Sequence, residues 1–582
     1  MKRDDTWKRY AAAEDGAVRK HWRGKTSIAL VYPNHYPVGM SNLGLHAVYG
    51  LLNSYDDVVC ERVFLPEEDR PASGRLTTFE SGQPVAAVDI VAFSISFESD
   101  YPHLLTLLDL AGVPQRAAER DAHHPLVVAG GVACLLNPEP IAAFVDCFLI
   151  GEAEVILPDF LRAFTPDAER RALLKTIAQS VPGAYVPSFY AASYTPEGTL
   201  SSWVSTEDVP LRISSPFVKD LSATATCSTV LTPNTAFGGS FLIEVGRGCP
   251  HGCRFCSAGF VYRPPRFRSE QSLARTIERG LTRSHQIGLL GAAVSDLPGI
   301  ASLCRQFADR DITMSFSSLR ADALGPELLN ALTCSRVKTA TIAPEAGSER
   351  LRRVINKGIR EEHVLKACAA LVEQGIPNLK LYFMVGLPTE TREDVAAIVT
   401  LVKRIKHEFL RSSRTRRSIG TLTVSVSSFV PKPFTPFQWA AMAETADLKA
   451  RIKQIKTELG RVPNVRMHSD LPRWAYIQAL LARGDRRVAD ILSRVHAAAG
   501  NWAHALKTVA INPDFYVLRE RDLNEILPWD FIDHHVAKTY LQHDCRRALE
   551  GLPGIVCRVK TCRQCGACGE VASPMQPLQS TE

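Results

Sequence analysis

The sequence lacks any apolar run approaching the ~18 uninterrupted residues of a membrane span, and its mean hydropathy is −0.04. The first residues, MKRDDTWKRYAAAEDGAVRK, contain no apolar core of a secretory signal, so a cytoplasmic protein is expected. There is no internal repeat at a period of about 20–50 residues, which excludes solenoids and propellers. Aromatic residues interleaved with basic ones, the mark of a single-strand nucleic-acid platform, are concentrated nowhere. Net charge is only +7 over 582 residues, a balance that tolerates an anionic substrate without demanding nucleic acid. With 46% hydrophobic and 22% charged residues the chain is neither wholly disordered nor collagen-like. The clearest basic run, Arg411-Ser-Ser-Arg-Thr-Arg-Arg417, is expected to be a solvated loop.

Cysteine is plentiful by comparison. There are 15, and seven fall in two tight groups. Without a signal for export, clustered thiols point to metal ligation rather than a disulfide framework. Others, such as Cys60, Cys304 and Cys368, stand in apolar contexts and are expected to be small core residues.

The periodicity predicts an α/β protein. After an N-terminal extension (1–25), residues 26–165 alternate strands at 27–32, 88–95, 126–131 and 145–151 with helical stretches. Apolar strands that run straight into glycine indicate a parallel, doubly wound sheet covered on both faces, with its crevice at the strands' carboxyl ends. A linker or bridging subdomain is expected at 166–238. A second alternation over 239–440 has strands at 241–245, 287–290, 312–317, 339–342, 379–385 and 421–427. Six such βα units suit a curved, partly open barrel with chemistry at the strand C-termini. A mostly helical region (441–550) and a cysteine-rich tail (551–582) complete the division, with Ser573–Glu582 expected to be disordered.

Directly after the first of those six strands, Gly248-Cys249-Pro-His-Gly-Cys253-Arg-Phe-Cys256 places three thiols on one loop with C-x3-C-x2-C spacing. Three thiolates neither fill a tetrahedral zinc site nor complete a four-thiolate cluster, so one metal corner stays open for a chelating small molecule. The alternative is a zinc knuckle that borrows a fourth ligand such as His251, although no second ligand pair follows at the usual interval.

This loop resembles the cluster motif of the radical S-adenosylmethionine (SAM) superfamily, whose members carry C-x3-C-x2-C after the first strand of a six-unit partial barrel. The resemblance implies that Cys249, Cys253 and Cys256 bind three irons of a [4Fe–4S] cluster and that Phe255 lies near the adenine. The fourth iron would take the amino and carboxylate groups of SAM, and electron transfer would release methionine and a 5′-deoxyadenosyl radical. A reducing partner such as flavodoxin or ferredoxin is then expected. Gly386, in Val385-Gly-Leu-Pro-Thr-Glu390, matches the second half of the family's fifth-strand segment. Gly291 and Ser295 stand where the family often has Gly-Gly-Glu for the SAM amino group; the glutamate is absent. Ser317 and Arg320 follow the third strand. Glu345 follows the fourth as the candidate for the ribose hydroxyls, and Lys357 is the candidate for the SAM carboxylate.

Val127-Val-Ala-Gly130-Gly131 and Asp146-Cys-Phe-Leu-Ile-Gly151-Glu resemble the cobalamin-binding domain that precedes the barrel in one radical-SAM branch, in which a glycine-rich strand end lets the corrin approach the backbone. Val38-Gly-Met-Ser-Asn-Leu-Gly44, Tyr262-Arg-Pro-Pro265 and Val354-Ile-Asn-Lys-Gly358 extend the resemblance over most of the chain. The Asp-x-His-x-x-Gly loop of other cobalamin proteins is missing. The tail carries Cys557, Cys562, Cys565 and Cys568, a set that matches a complete auxiliary iron–sulfur site or a tetrahedral zinc site.

The resemblance implies a radical SAM enzyme, a transferase such as a C-methyltransferase, performing cobalamin-linked methylation or rearrangement of an unactivated carbon. Sulfur insertion by methylthiolation without cobalamin is the first alternative, since Phe429-Val-Pro-Lys-Pro-Phe-Thr-Pro436 is reminiscent of methylthiotransferases. A zinc-stapled RNA-binding scaffold is the second. The substrate, whether small molecule, peptide or RNA, has no signature in the sequence.

Overall fold

The computed structural model describes residues 6–67, 76–308, 310–335, 337–413, 420–554, 557 and 562–568. Residues 414–417 of the basic run and the segment 573–582 lie outside them.

The N-terminal sheet has strands β1 (Thr26–Tyr32), β2 (Val58–Phe64), β3 (Ile90–Ser94), β4 (Leu126–Gly130), β5 (Cys147–Leu149) and β6 (Ala184–Tyr185), ordered β2-β1-β3-β4-β5-β6. The first five are parallel and β6 returns antiparallel along β5. The order reverses between β1 and β3, the point at which doubly wound sheets open a ligand crevice. Helices Leu43–Asn53, Tyr101–Ala111 and Ala153–Ala163 supply the apolar faces that bury the sheet.

Strand β2 has no counterpart in the sequence reading. Its centre is Glu61-Arg62, and charged residues argue against a buried strand. Both are nonetheless buried: Arg62 is held between Glu14 and Glu80, each at 2.6 Å, and Glu61 accepts from the Trp22 indole at 3.0 Å and the Ser81 hydroxyl at 2.6 Å. The sheet also reaches past 165, taking its sixth strand from the stretch read as linker.

The second unit is a partial barrel. Strands Phe241–Glu244, Gln286–Leu290 and Thr313–Phe316 form one parallel sheet; Thr339–Glu345, Asn378–Val385, Leu422–Ser428 and Val465–Ser469 form another. Among the described residues no ladder joins the third strand to the fourth, so the wall is open there. The last strand is an addition to the six expected ones. Helices Glu361–Glu373 and Arg392–Ser412 cover the outer face, burying Leu379, Leu381, Phe383 and Val385. The alternate residues of that strand, Lys380 and Tyr382, face the concave side, as the two-residue period of a strand requires. Helices Thr445–Leu459, Pro472–Arg483, Val488–Ala497 and Lys538–Leu549 are the long elements of the C-terminal region, joined by extended and turn segments. Among the described residues no helix is long and apolar enough to cross a membrane.

Candidate active site at the cysteine loop

The cysteine loop is held at both ends and in the middle. At its ends, Gly246–Arg247 pairs antiparallel with Arg266–Phe267 and closes 248–265 into a single excursion. Gly248 turns the chain with φ +80°, and a Cβ there would meet the Tyr262 carbonyl at 2.5 Å. In the middle, Arg254 is fully buried between two of the cysteines. Its guanidinium donates to the Val354 carbonyl at 2.8 Å and to Asp544 at 2.8 Å, and its backbone N–H donates to Ile355 at 3.0 Å. Asn356 donates to the Gly252 carbonyl at 2.9 Å. Phe255 packs into a small apolar cluster with Leu351, Val354, Leu387, Phe429 and Phe437, at the carboxyl ends of the fourth to sixth strands. Arginine between two cysteines suggests a solvated side chain, which is why sequence reasoning missed this anchor.

The three thiols share one environment. Burial pushes Cys249 and Cys253 up to about 11 and raises Cys256 as well, and the charge of each thiolate bears on another of the set. Two cations oppose this effect: Lys357 favours the thiolates of Cys253 and Cys256, and Arg320 favours those of Cys249 and Cys253. Ligation of a metal by thiols raised in this way would release protons. Among the described residues, no three His, Cys, Asp or Glu side chains are drawn tightly enough to hold a single metal ion. His251, the proposed fourth ligand of a zinc knuckle, has its Nε2 engaged by Asp296 at 2.7 Å.

The polar residues singled out after the strands gather at the same mouth. Lys357 lies 3.1 Å from Glu345. Burial alone would lower the Lys357 ammonium, but Glu345 and Cys253 outweigh it and hold it above the ordinary value. Glu345 ends its strand at φ +67°, beside a register shift between Ile342 and Glu345. A left-handed glutamate costs on the order of 1 kcal/mol or more, and such strain clusters at functional sites. Arg320 grips Asp322 through two bonds of 3.0 and 2.9 Å and reaches the Lys357 carbonyl at 3.3 Å.

Ser317 and Ser295 have a different part. The Ser317 hydroxyl both donates to the Gly291 carbonyl at 3.0 Å and accepts from the Gly291 N–H at 3.1 Å. The Ser295 hydroxyl accepts from the Arg320 N–H at 3.2 Å. These bonds stitch the second and third loops together and so position Arg320. Gly386 donates its N–H to Glu390 at 2.7 Å, closing the turn after the fifth strand.

A cavity of about 430 Å³ separates this loop from the N-terminal sheet. One wall is the carboxyl edge of the sheet, including Ser94, Gly130, Gly131 and Gly151; the other includes Gly248, Ala258 and Tyr262. Gly131 has φ +100° and a Cβ there would sit 2.4 Å from the Ile95 carbonyl, so the fold itself requires glycine at this position. Across the cavity floor, Arg247 binds Glu152 at 2.8 Å and Arg266 binds Glu152 at 2.7 Å, tying the two units together.

A family model described as "Radical SAM proteins, N-terminal" matches residues 44–187, and one described as "Radical SAM superfamily" matches residues 243–402. An uncharacterized protein of Methanocaldococcus jannaschii is 31% identical over 470 residues, covering 80% of this chain and 90% of that one. A tRNA-2-methylthio-N(6)-dimethylallyladenosine synthase of Desulforamulus reducens is 25% identical over 180 residues, 28% of this chain and 39% of the relative. Among solved structures, the cobalamin-dependent S-adenosylmethionine radical enzyme OxsB aligns with 65% of this chain and 51% of its own, at 15% identity and a TM-score of 0.40. The chain belongs to the radical SAM superfamily, with a radical SAM N-terminal domain ahead of its partial barrel.

Proposed function

We propose that this radical SAM enzyme couples SAM cleavage at Cys249, Cys253 and Cys256 to cobalamin-linked methylation or rearrangement of an unactivated carbon in a substrate entering at the barrel mouth. The observation that carries this reading is the cavity between the two units. It lies at the carboxyl edge of a sheet ordered 2-1-3-4-5, beside the order reversal, and its far wall is the cysteine loop. A cofactor held there would face both the cluster loop and the barrel interior.

The residues present suit these groups. Three thiols on one loop leave an open coordination position, and the sheet-side wall of the cavity offers backbone at Gly130, Gly131 and Gly151. A bound [4Fe–4S] cluster with SAM supplies reductive scission of the sulfonium, and cobalamin supplies a methyl carrier. The chain's own residues bind and orient. Lys357 and Arg320 are the cations for a carboxylate beside the thiols, Glu345 is the acceptor for ribose hydroxyls, and Phe255 fixes the loop against the barrel. The Arg247–Glu152–Arg266 bridge sets the distance between the two units and helps seal the cavity.

The methylthiolation reading draws support from relatives named as methylthio-adenosine synthases, each over less than half of its length. The two readings separate on one test, anaerobic binding of hydroxocobalamin followed by its visible spectrum. Stoichiometric cobalamin is expected for the wild type and loss of it for Ala47→Phe, which fills the cavity from helix Leu43–Asn53. No binding by the folded wild type would remove cobalamin from the account.

A further inference from the structure

We infer that Cys557, Cys562, Cys565 and Cys568 form a second metal centre, an iron–sulfur cluster seated against Arg263 and Tyr540. All six side chains line one small pocket. The tail is not a loose end there. Cys565 is buried, its carbonyl accepts from the Ala537 N–H at 2.9 Å, and Ala567 packs against the main core. Gly566 turns the chain at φ +92° between the last two thiols, a conformation that other residues resist. At the start of the tail, the Gly554 N–H donates to Asn356 at 3.0 Å, and the same Asn356 amide holds the Gly252 carbonyl of the first cysteine loop.

Arg263 supplies the independent argument. It is 3% exposed, and its Nε donates to the Gly259 carbonyl at 2.6 Å. Its guanidinium lies over the rings of Phe260 at 4.7 Å and Tyr540 at 5.3 Å, its Nη2 has no hydrogen-bond partner, and among the described residues no carboxylate pairs with it. A buried guanidinium without counter-charge is costly, by several kcal/mol in a dry interior. The groups in its pocket able to carry negative charge are the four thiols and the phenol of Tyr540. Four thiolates around an iron–sulfur core carry a net negative charge and would satisfy both the cation and its idle donor. Arg263 stands on the 248–265 excursion that also carries Cys249, Cys253 and Cys256, so the tail thiols pack against the same loop.

Iron–sulfur fits better than zinc. A single zinc ion would draw four sulfurs within about 2.3 Å of one point, whereas the four thiols here line a common pocket. The spacing C-x4-C-x2-C-x2-C is compact, as in ferredoxin loops, rather than two separated pairs.

The test is iron, acid-labile sulfide and zinc per chain after anaerobic reconstitution of the full chain. Three proteins are compared: wild type, the Cys249→Ala/Cys253→Ala/Cys256→Ala variant and the Cys557→Ala/Cys562→Ala/Cys565→Ala/Cys568→Ala variant. With two four-iron clusters, the wild type holds about eight iron, and each variant loses about half. The iron left in the first variant should show a reduced EPR signal that does not change on adding SAM. Arg263→Gln should lower the midpoint potential of that residual signal, because it removes a cation beside an anionic centre. A first variant without iron and sulfide, or with zinc in their place, would overturn the proposal. The iron of the second variant reports separately on the SAM site, so failure of one centre is not mistaken for failure of the other. Should the tail variant not fold, the residual iron of the first variant decides the matter alone.

Discussion

Asp544→Ala should release the cysteine loop from the C-terminal helix while leaving every thiol in place. Arg254 and Asp544 have side chains 0% and 2% exposed, and they meet at 2.8 Å across 290 residues of sequence. Removing the carboxylate leaves a guanidinium buried with only backbone carbonyls at Val354 and Arg353 as partners. Breaking a buried pair in this way costs about 3–5 kcal/mol. In a chain with several units that cost is expected as local opening rather than as one global transition. At about 1.4 kcal/mol per decade it corresponds to a roughly 10²–10³-fold loss of protection. Hydrogen exchange read by mass spectrometry should show the loss in peptides spanning 249–256 and 540–548, with the N-terminal sheet unchanged. The double variant Arg254→Met/Asp544→Leu should recover much of the protection, since an apolar pair removes the stranded charge. Unchanged exchange in Asp544→Ala would refute the reasoning, because Arg254 would then be satisfied by carbonyls alone.

Lys357→Met in cluster-loaded protein should weaken SAM binding by about 10–100-fold, the value of one charge-assisted hydrogen bond. Isothermal titration with SAM checks it, and an unchanged Kd would take Lys357 out of the site. Acid should destabilise the protein through His46, whose Nε2 donates to the Met40 carbonyl at 3.0 Å and which burial holds down to about 4. The unfolded chain takes up this proton below its ordinary value near 6.5 and the folded chain does not. Stability from this group is therefore complete above about pH 6.5 and falls as the pH drops toward 4, by up to about 3 kcal/mol. His46→Gln should show a smaller fall in thermal midpoint between pH 7 and 5 than the wild type; equal falls would contradict the assignment.

The strands of both units were legible because apolar runs ending in glycine or polar residues carry a strong local signal. The six barrel strands lie within a few residues of the ranges the periodicity predicts. What stayed hidden depended on partners far along the chain. Strand β2 looks too charged until Arg62 is placed between Glu14 and Glu80. Val465–Ser469 has only two apolar residues, Val465 and Met467, and is a strand because it extends a sheet edge. The chemical character of the site was legible in three cysteines. Its supports were not: Arg254 with Asp544, and Asn356 between Gly252 and Gly554, are contacts that no local pattern announces. Ser317 and Ser295 lie at the expected loops, but their hydroxyls serve the backbone there.

The most direct measurement of the central claim is 5′-deoxyadenosine formation. Reconstituted protein would be incubated anaerobically with SAM and dithionite, and the product followed by mass spectrometry. 5′-Deoxyadenosine is expected from the wild type and none from the Cys249→Ala/Cys253→Ala/Cys256→Ala variant, with the fold of both checked by circular dichroism. Product from both, or from neither when the wild type carries its full iron, would contradict the claim.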